Sequence, residues 1–279
     1  MTGGAETGHP PSIAVPLRTS RILAEIRAGV GWLTFNQPER RNAISLDMWE
    51  AIGDAAAAFE ADARVRVVVM HGAGGRSFAA GADISEFEKH RANAAQKDAY
   101  ARIAGRAHHA LADLSKPLIA MVEGHCIGGG MALALTADLR FATAGSSFGI
   151  PAARLGLGYD YPGVAALARL VGPSAAKDIL FSARFMGAEQ ARQIGLVNAV
   201  LPDGDALRAH VQAYAAQIAA NAPLTLRAAK AAVRLFEQTS AKADDTQVAA
   251  LVSQCFDSHD YREGRQAFMD KRSPQFTGN

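Results

Sequence analysis

Three consecutive glycines, Gly128, Gly129 and Gly130, stand between a strand-like apolar run, Pro117 to Val122, and an apolar helical segment that continues from Met131 to Leu135. Glycines there cost conformational entropy and gain no packing, so the position calls for bare backbone. A helix that starts in the glycines leaves its first N–H groups unpaired, with its positive dipole end facing outward. That arrangement suits an oxygen on which negative charge develops. A second stretch has the same character: Gly72-Ala73-Gly74-Gly75-Arg76-Ser77-Phe78-Ala79-Ala80-Gly81-Ala82-Asp83-Ile84, which follows the apolar run Val65 to Met70. The chain thus offers two strand ends, two small-residue loops and two helix starts.

Those loops need a core to hold them, and 279 residues with 49% hydrophobic content are enough to bury one. The 29 basic and 27 acidic residues are interspersed and leave a net charge of +2, which gives no electrostatic footprint for nucleic acid. Aromatic residues, at 7%, are too sparse for a base-stacking platform. A small-molecule protein is expected, with neither nucleic acid nor membrane as a partner. Cys126 and Cys255 have no metal-ligand or disulfide-framework spacing, which fits a reducing cytoplasm. Residues 1–17 read as a flexible tail, since the Gly- and Pro-rich start lacks the basic and apolar regions of a signal peptide.

In chain order, Ile22 to Ile26 and Val30 to Asn36 read as a hairpin, and a helix capped by Ser45 or Asp47 runs to about Glu60. Val65 to Met70 is a buried strand, Ala92 to Leu114 a long Ala-rich helix, and Asp138 to Thr143 a further strand. Ser146 to Val164 reads as irregular, because Gly149, Pro151, Gly156, Gly158, Pro162 and Gly163 are closely spaced. Helical patterns then dominate: 165–170, 175–181, 188–194, 205–220, 223–238, 246–256 and 261–269, with a short strand candidate at 196–201. The repeated unit of strand, glycine loop and helix is what a spiral of ββα turns produces. Residues 18–201 form the expected core that carries the site, and residues 202–279 a helical region for packing or oligomer contact.

At these residues the sequence resembles the enoyl-CoA hydratase/isomerase family, the crotonase superfamily. The resemblance rests on Asn36-Gln37-Pro38-Glu39-Arg40-Arg41-Asn42-Ala43, Ser77 to Ile84, Gly128-Gly129-Gly130, Phe148-Gly149-Ile150-Pro151, Gly195-Leu196-Val197-Asn198 and Glu263 to Arg272. It implies an α/β crotonase-like spiral of ββα units, a C-terminal α-helical trimerisation region, a homotrimer or hexamer, and an acyl-CoA substrate of fatty acid metabolism. Coenzyme A enters as part of that thioester, with no metal or redox cofactor. By position, Ala82 and Gly129 donate the two backbone N–H bonds to the thioester oxygen, each typically worth about 2.7 to 4 kcal/mol of barrier. Backbone around Arg41, Ala43, Ala80, Asp83 and Ile84 holds the adenine and pantetheine portion of CoA, with Phe268 and Lys271 near its phosphates.

Hydratases of that family carry glutamates two residues after the third glycine and directly after the proline of Phe-Gly-x-Pro. Here those positions are Ala132 and Ala152, which cannot move a proton. Asp160, between Tyr159 and Tyr161, falls at a position similar to the aspartate of dienoyl-CoA isomerases. Partly desolvated by the two rings, it could shuttle a proton between carbons of an enolate. Those isomerases also carry a glutamate at the place of Ala152, so half of their pair is present; double-bond isomerisation through Asp160 is favoured, with hydration as the family-level default. One alternative is a binding protein that keeps the CoA cradle without turnover. Another is a serine hydrolase built on Gly145-Ser146-Ser147-Phe148-Gly149, with Asp160 and His210 or His259, although Pro151, Gly156 and Gly158 oppose the helix that such an elbow needs. Gly72 to Ser77 lacks the third glycine of a dinucleotide fingerprint. His125 and Asp138 read as structural, Asp83 as a helix cap and Met131 as an apolar pocket wall.

Overall fold

The computed structural model describes residues 12–83, 94–238 and 246–277. Eleven strands are present among them: β1 Ile13–Val15, β2 Ile22–Arg27, β3 Val30–Phe35, β4 Val67–Gly72, β5 Ser77–Ala79, β6 Leu118–Val122, β7 His125–Ile127, β8 Leu139–Thr143, β9 Ser147–Gly149, β10 Met186–Gly187 and β11 Ala199–Leu201. Nine α-helices accompany them: α1 Leu46–Ala61, α2 Ala94–Ala112, α3 Gly129–Thr136, α4 Tyr161–Ser182, α5 Ala188–Gln193, α6 Gly204–Ala220, α7 Pro223–Gln238, α8 Thr246–Asp257 and α9 His259–Met269. The described helices include none long and apolar enough to cross a membrane.

The strands form two sheets, one in the order β1-β2-β3-β4-β6-β8-β11 and one in the order β10-β9-β7-β5. β4, β6 and β8 lie parallel in the large sheet, and their successors β5, β7 and β9 lie parallel in the small one. Each turn of chain therefore gives one strand to each sheet before the next turn begins, which is the expected ββα spiral. Continuous apolar strands suit this arrangement, because β4 and β6 are covered on both faces. The main core, including Phe35, Met48, Ile52, Phe59, Met70 and Phe148, sits under α1 and α2. A second cluster, with Trp32, Val69 and Phe141, lies beneath α6.

The short strands β5, β7 and β10 lie where the sequence reading expects no strand, and three boundaries also differ from it. Ile13–Val15, placed in the flexible tail, pairs antiparallel with β2, so this part of the tail is an edge strand. Residues 146–164 are more regular than the glycines and prolines suggested. They contain β9, a 3-10 turn at Pro151–Leu155 and the start of α4, where a proline in the first turn fits a helix. The segments 165–170 and 175–181 belong to one element bent at Gly172, whose φ of 81° and ψ of 158° precede Pro173.

The loop between β3 and α1 is held by Asn42. This fully buried residue, at φ 54°, accepts from the Gln37 N–H at 2.9 Å and donates to the Ala73 and Ser77 carbonyls at 3.0 and 2.7 Å. Asn42→Ala removes all three bonds, leaves backbone groups unpaired and puts an alanine in the left-handed region. Urea unfolding is expected to show a loss of about 2–3 kcal/mol. A loss under about 1 kcal/mol would show that the loop is held elsewhere.

Candidate functional site

Two loops bring the predicted backbone donors together. Ile44 forms an isolated parallel bridge with Ala82: the Ile44 N–H donates to the Gly81 carbonyl at 2.8 Å, and the Asp83 N–H to the Ile44 carbonyl at 2.9 Å. Since N–H groups alternate sides along extended chain, the Ala82 N–H points away from Ile44. On that side stands Gly129, the first residue of α3. A Cβ added to Gly129 would lie 3.1 Å from the Ala82 nitrogen, so only bare backbone separates the two amides. Neither N–H has a partner among the described residues.

The glycine run makes this approach possible. Gly128, before the helix, has φ 53° and ψ −113°, a conformation open to glycine alone. A Cβ on Gly130 would collide with the Ala79 carbonyl oxygen, so α3 could not lie on β5 with any other residue there. At the other end of α3, Arg140 is 4% exposed and donates to the carbonyls of Ala134 at 3.2 Å, Leu196 at 2.8 Å and Asp138 at 3.4 Å. A cation on these terminal carbonyls complements the helix dipole. Burial pushes the guanidinium pKa down to about 10, which leaves it charged at neutral pH. Sequence reasoning missed this residue because its partners lie up to 56 positions away.

The amide pair opens on a cavity of about 830 Å³. Ala132, Ala152 and Asp160 all line it, together with Tyr159 and Tyr161. One expectation needs correction. Asp160 is not closed between the rings but exposed, at the residue preceding α4, where an anion is favoured by the helix dipole. The Tyr159 ring instead packs on Gly163, one turn into the helix: its Cε1 lies 2.7 Å from where a Cβ would stand.

Of the residues tied to CoA by resemblance, Ala80 lines the cavity and donates its N–H to the Arg41 carbonyl at 3.0 Å. Ala43 is half-buried beside the Ile44 bridge. The Asp83 carboxylate pairs with Arg40 at 2.7 Å, which gives it a loop-tying role. Ile84 and the helix that Asp83 would cap lie outside the described residues. Phe268 and Lys271, exposed at the end of α9, do not line the cavity, although α9 packs on the Pro151–Leu155 turn that does.

The hydrolase constellation does not assemble. Ser147 lies in a strand, its hydroxyl 2.8 Å from Nδ1 of His125 across the β7–β9 pair, and neither residue lines the cavity. His210 and His259 do not line it either. His125 thus has a local partner, and Asp138 accepts from the Leu118 N–H and Lys230 as a structural residue; Met131, expected as a pocket wall, instead turns from α3 into the core, is fully buried and does not line the cavity.

Three cavity residues came from outside the motifs. Trp49 on α1 donates through Nε1 to the Tyr100 hydroxyl at 2.6 Å, and its indole packs on His108 with ring centroids 4.9 Å apart. Burial lowers the His108 pKa from 6.5 to about 4, so it is neutral in the folded protein at neutral pH. A histidine whose folded pKa lies below its unfolded value stabilises fully above pH 6.5 and loses that contribution as pH falls toward 4. The loss amounts to about 3 kcal/mol at 1.4 kcal/mol per unit. Urea midpoints for the wild type should therefore decline between pH 6.5 and 4 more steeply than for His108→Phe. Parallel declines would remove His108 as the cause.

Comparison with known proteins agrees with this architecture. The family described as Enoyl-CoA hydratase/isomerase matches residues 25–279. The chain is 33% identical over 255 residues to a crotonyl-CoA hydratase of Syntrophomonas wolfei, covering 91% of this chain and 97% of that one. An enoyl-CoA hydratase/carnithine racemase structure from Magnetospirillum magneticum superposes with a TM-score of 0.77 at 36% identity, covering 94% and 97% of the two chains. Methylmalonyl-CoA decarboxylase in complex with 2-nitronate-propionyl-CoA superposes with a TM-score of 0.85 at 25% identity, covering 93% and 99%.

Proposed function

This chain belongs to the enoyl-CoA hydratase/isomerase family, and from that premise we propose that it isomerises an acyl-CoA double bond through a thioester enolate, with Asp160 as the proton carrier. The observation that carries this reading is the pair of unpartnered amides, Ala82 and Gly129, opening on the cavity that Asp160 also lines. The thioester oxygen sits between the two N–H groups. The Asp160 carboxylate takes a proton from the saturated carbon beside the double bond, acidified through the π system by the thioester, and the C–H electron pair moves into that π system and onto the thioester oxygen. The resulting acid returns the proton to the other end of the dienolate. Substrate and product are isomers, and no water is consumed.

Water addition by paired carboxylates has no pair at positions 132 and 152, where both cavity-lining residues are alanine. The likeness to methylmalonyl-CoA decarboxylase favours a second reading on the same amides. There the C–C bond to a malonyl-type carboxylate breaks, its electron pair passes to the thioester oxygen, CO2 leaves, and the enolate carbon takes up a proton. That reaction needs no initial base.

We assign backbone at Arg41, Ala43, Ala80 and Asp83 to the adenine and pantetheine part of CoA, and Phe268 and Lys271 to its phosphates. Leu224, Val233, Leu235 and Phe236, all exposed on α7, form the surface that a trimer contact would cover. The deciding experiment incubates purified protein in D2O with enoyl-, dienoyl- and malonyl-type CoA thioesters and follows them by NMR. A shifted double bond with one exchanged C–H site supports isomerisation, and CO2 release from the malonyl type supports the second reading. Hydration of the enoyl thioester, or tight binding with no change to any of them, overturns both.

A further inference from the structure

Resting on the acyl-CoA reading above, we infer that the site is built for a long acyl group, a chain of about eight carbons or a ring system of similar reach, and not for a four-carbon unit. The cavity holds about 830 Å³, and it follows α3 from Gly129 at the amide pair to Thr136 at the other end. Seven residues of helix carry it about 10 Å beyond the point where the thioester oxygen sits. A four-carbon group would fill less than half of that reach.

The wall along this path is small and offers little polarity. Ala101, Ala104, Gly105 and Ala112 present the cavity face of α2, and a Cβ on Gly105 would meet no atom within 4 Å. Opposite them lie Ala132 and Ala166. Trp49 and His108, the larger side chains nearest the amide pair on this path, have their polar atoms engaged or closed off. The Trp49 N–H is donated to Tyr100, and Nδ1 of His108 to the Ala104 carbonyl. Nε2 of His108 is shielded from solvent and unpartnered among the described residues. To an incoming chain, the neutral imidazole and the indole are therefore apolar surface. Polar lining gathers toward the far end at His109 and Asp113 of α2, Thr136 of α3 and Arg169 of α4, and Asp113 pairs there with Arg234 of α7. The change from small apolar to polar lining there marks the far limit of the apolar stretch.

Burial of one methylene in such a wall tightens binding by about fourfold. Titration calorimetry of the full-length protein with butanoyl-, hexanoyl-, octanoyl- and decanoyl-CoA tests the inference without turnover, since these thioesters carry no double bond. Affinity should rise by about 200-fold from butanoyl to octanoyl and then level off. Gly105→Leu, whose side chain enters open space and whose helix propensity improves, should lower the octanoyl-to-butanoyl affinity ratio by about tenfold or more. A flat wild-type series overturns the inference, and so does an unchanged ratio in Gly105→Leu. Butanoyl-CoA binding in a flat series leaves the acyl-CoA reading standing, whereas failure of every thioester and of CoA itself removes that reading along with the inference.

Discussion

Gly129→Ala should destroy turnover while the protein stays folded. The added methyl stands 3.1 Å from the Ala82 nitrogen, at the distance where a hydrogen-bonded oxygen would lie. A carbonyl can then no longer sit between the two amides, and loss of one such donor typically costs 10²–10³ in kcat. Apart from the Ala82 nitrogen, the added methyl's neighbours stand at 3.4 Å and beyond, so the protein should fold with a thermal midpoint close to that of the wild type. Measured kcat within about fivefold of wild type would mean that the reacting oxygen lies elsewhere. Gly130→Ala makes the contrast. Its methyl meets the Ala79 carbonyl, displaces α3 from β5 and lowers stability together with activity.

Asp160→Asn keeps the size and polarity of the side chain and removes its capacity to hold a proton. If Asp160 carries the proton between carbons, isomerisation falls by about 10²–10⁴-fold, and exchange of substrate C–H with D2O falls in parallel. Calorimetric affinity for a saturated acyl-CoA should stay close to wild type, which separates a chemical role from a binding one. Under the decarboxylation reading CO2 release continues in this variant, because carbanion formation needs no base. An unchanged isomerisation rate would take Asp160 out of the mechanism.

These two experiments address residues of different legibility. The small-residue loop before α3 was readable from sequence because the feature is local: a strand, a run of glycines and a helix leave amides unpaired whatever surrounds them, and the family resemblance then pointed to Ala82 and Gly129. The same holds for the strands β2, β3, β4, β6 and β8 and for most helices, whose apolar periodicity is a property of consecutive residues. Asp160 was readable only as a carboxylate in an unusual loop. Flanking tyrosines suggested a buried group, yet the start of α4 at Tyr161 turns it outward and lays Tyr159 on Gly163. Which way a side chain leaves the backbone depends on where the helix begins, and the closely spaced glycines and prolines concealed that beginning.

The sequence alone determined the two small-residue loops that follow strands and the alanines at positions 132 and 152, since each is a matter of residue type and short-range spacing; the naming of Ala82 and Gly129 and the full ββα spiral rested on the family resemblance. Only the tertiary structure decided which distant segments share the cavity: Trp49, His108 and Asp160 come from three separate helices or their ends, and no local pattern links them. It also decided what holds α3 in place. Arg140 bonds the carbonyl of Ala134 in α3 and, 56 positions away, that of Leu196, which becomes its neighbour only once the spiral has closed. Backbone conformation follows from nearest neighbours in the chain, whereas burial, exposure and convergence follow from contacts that the fold must first create.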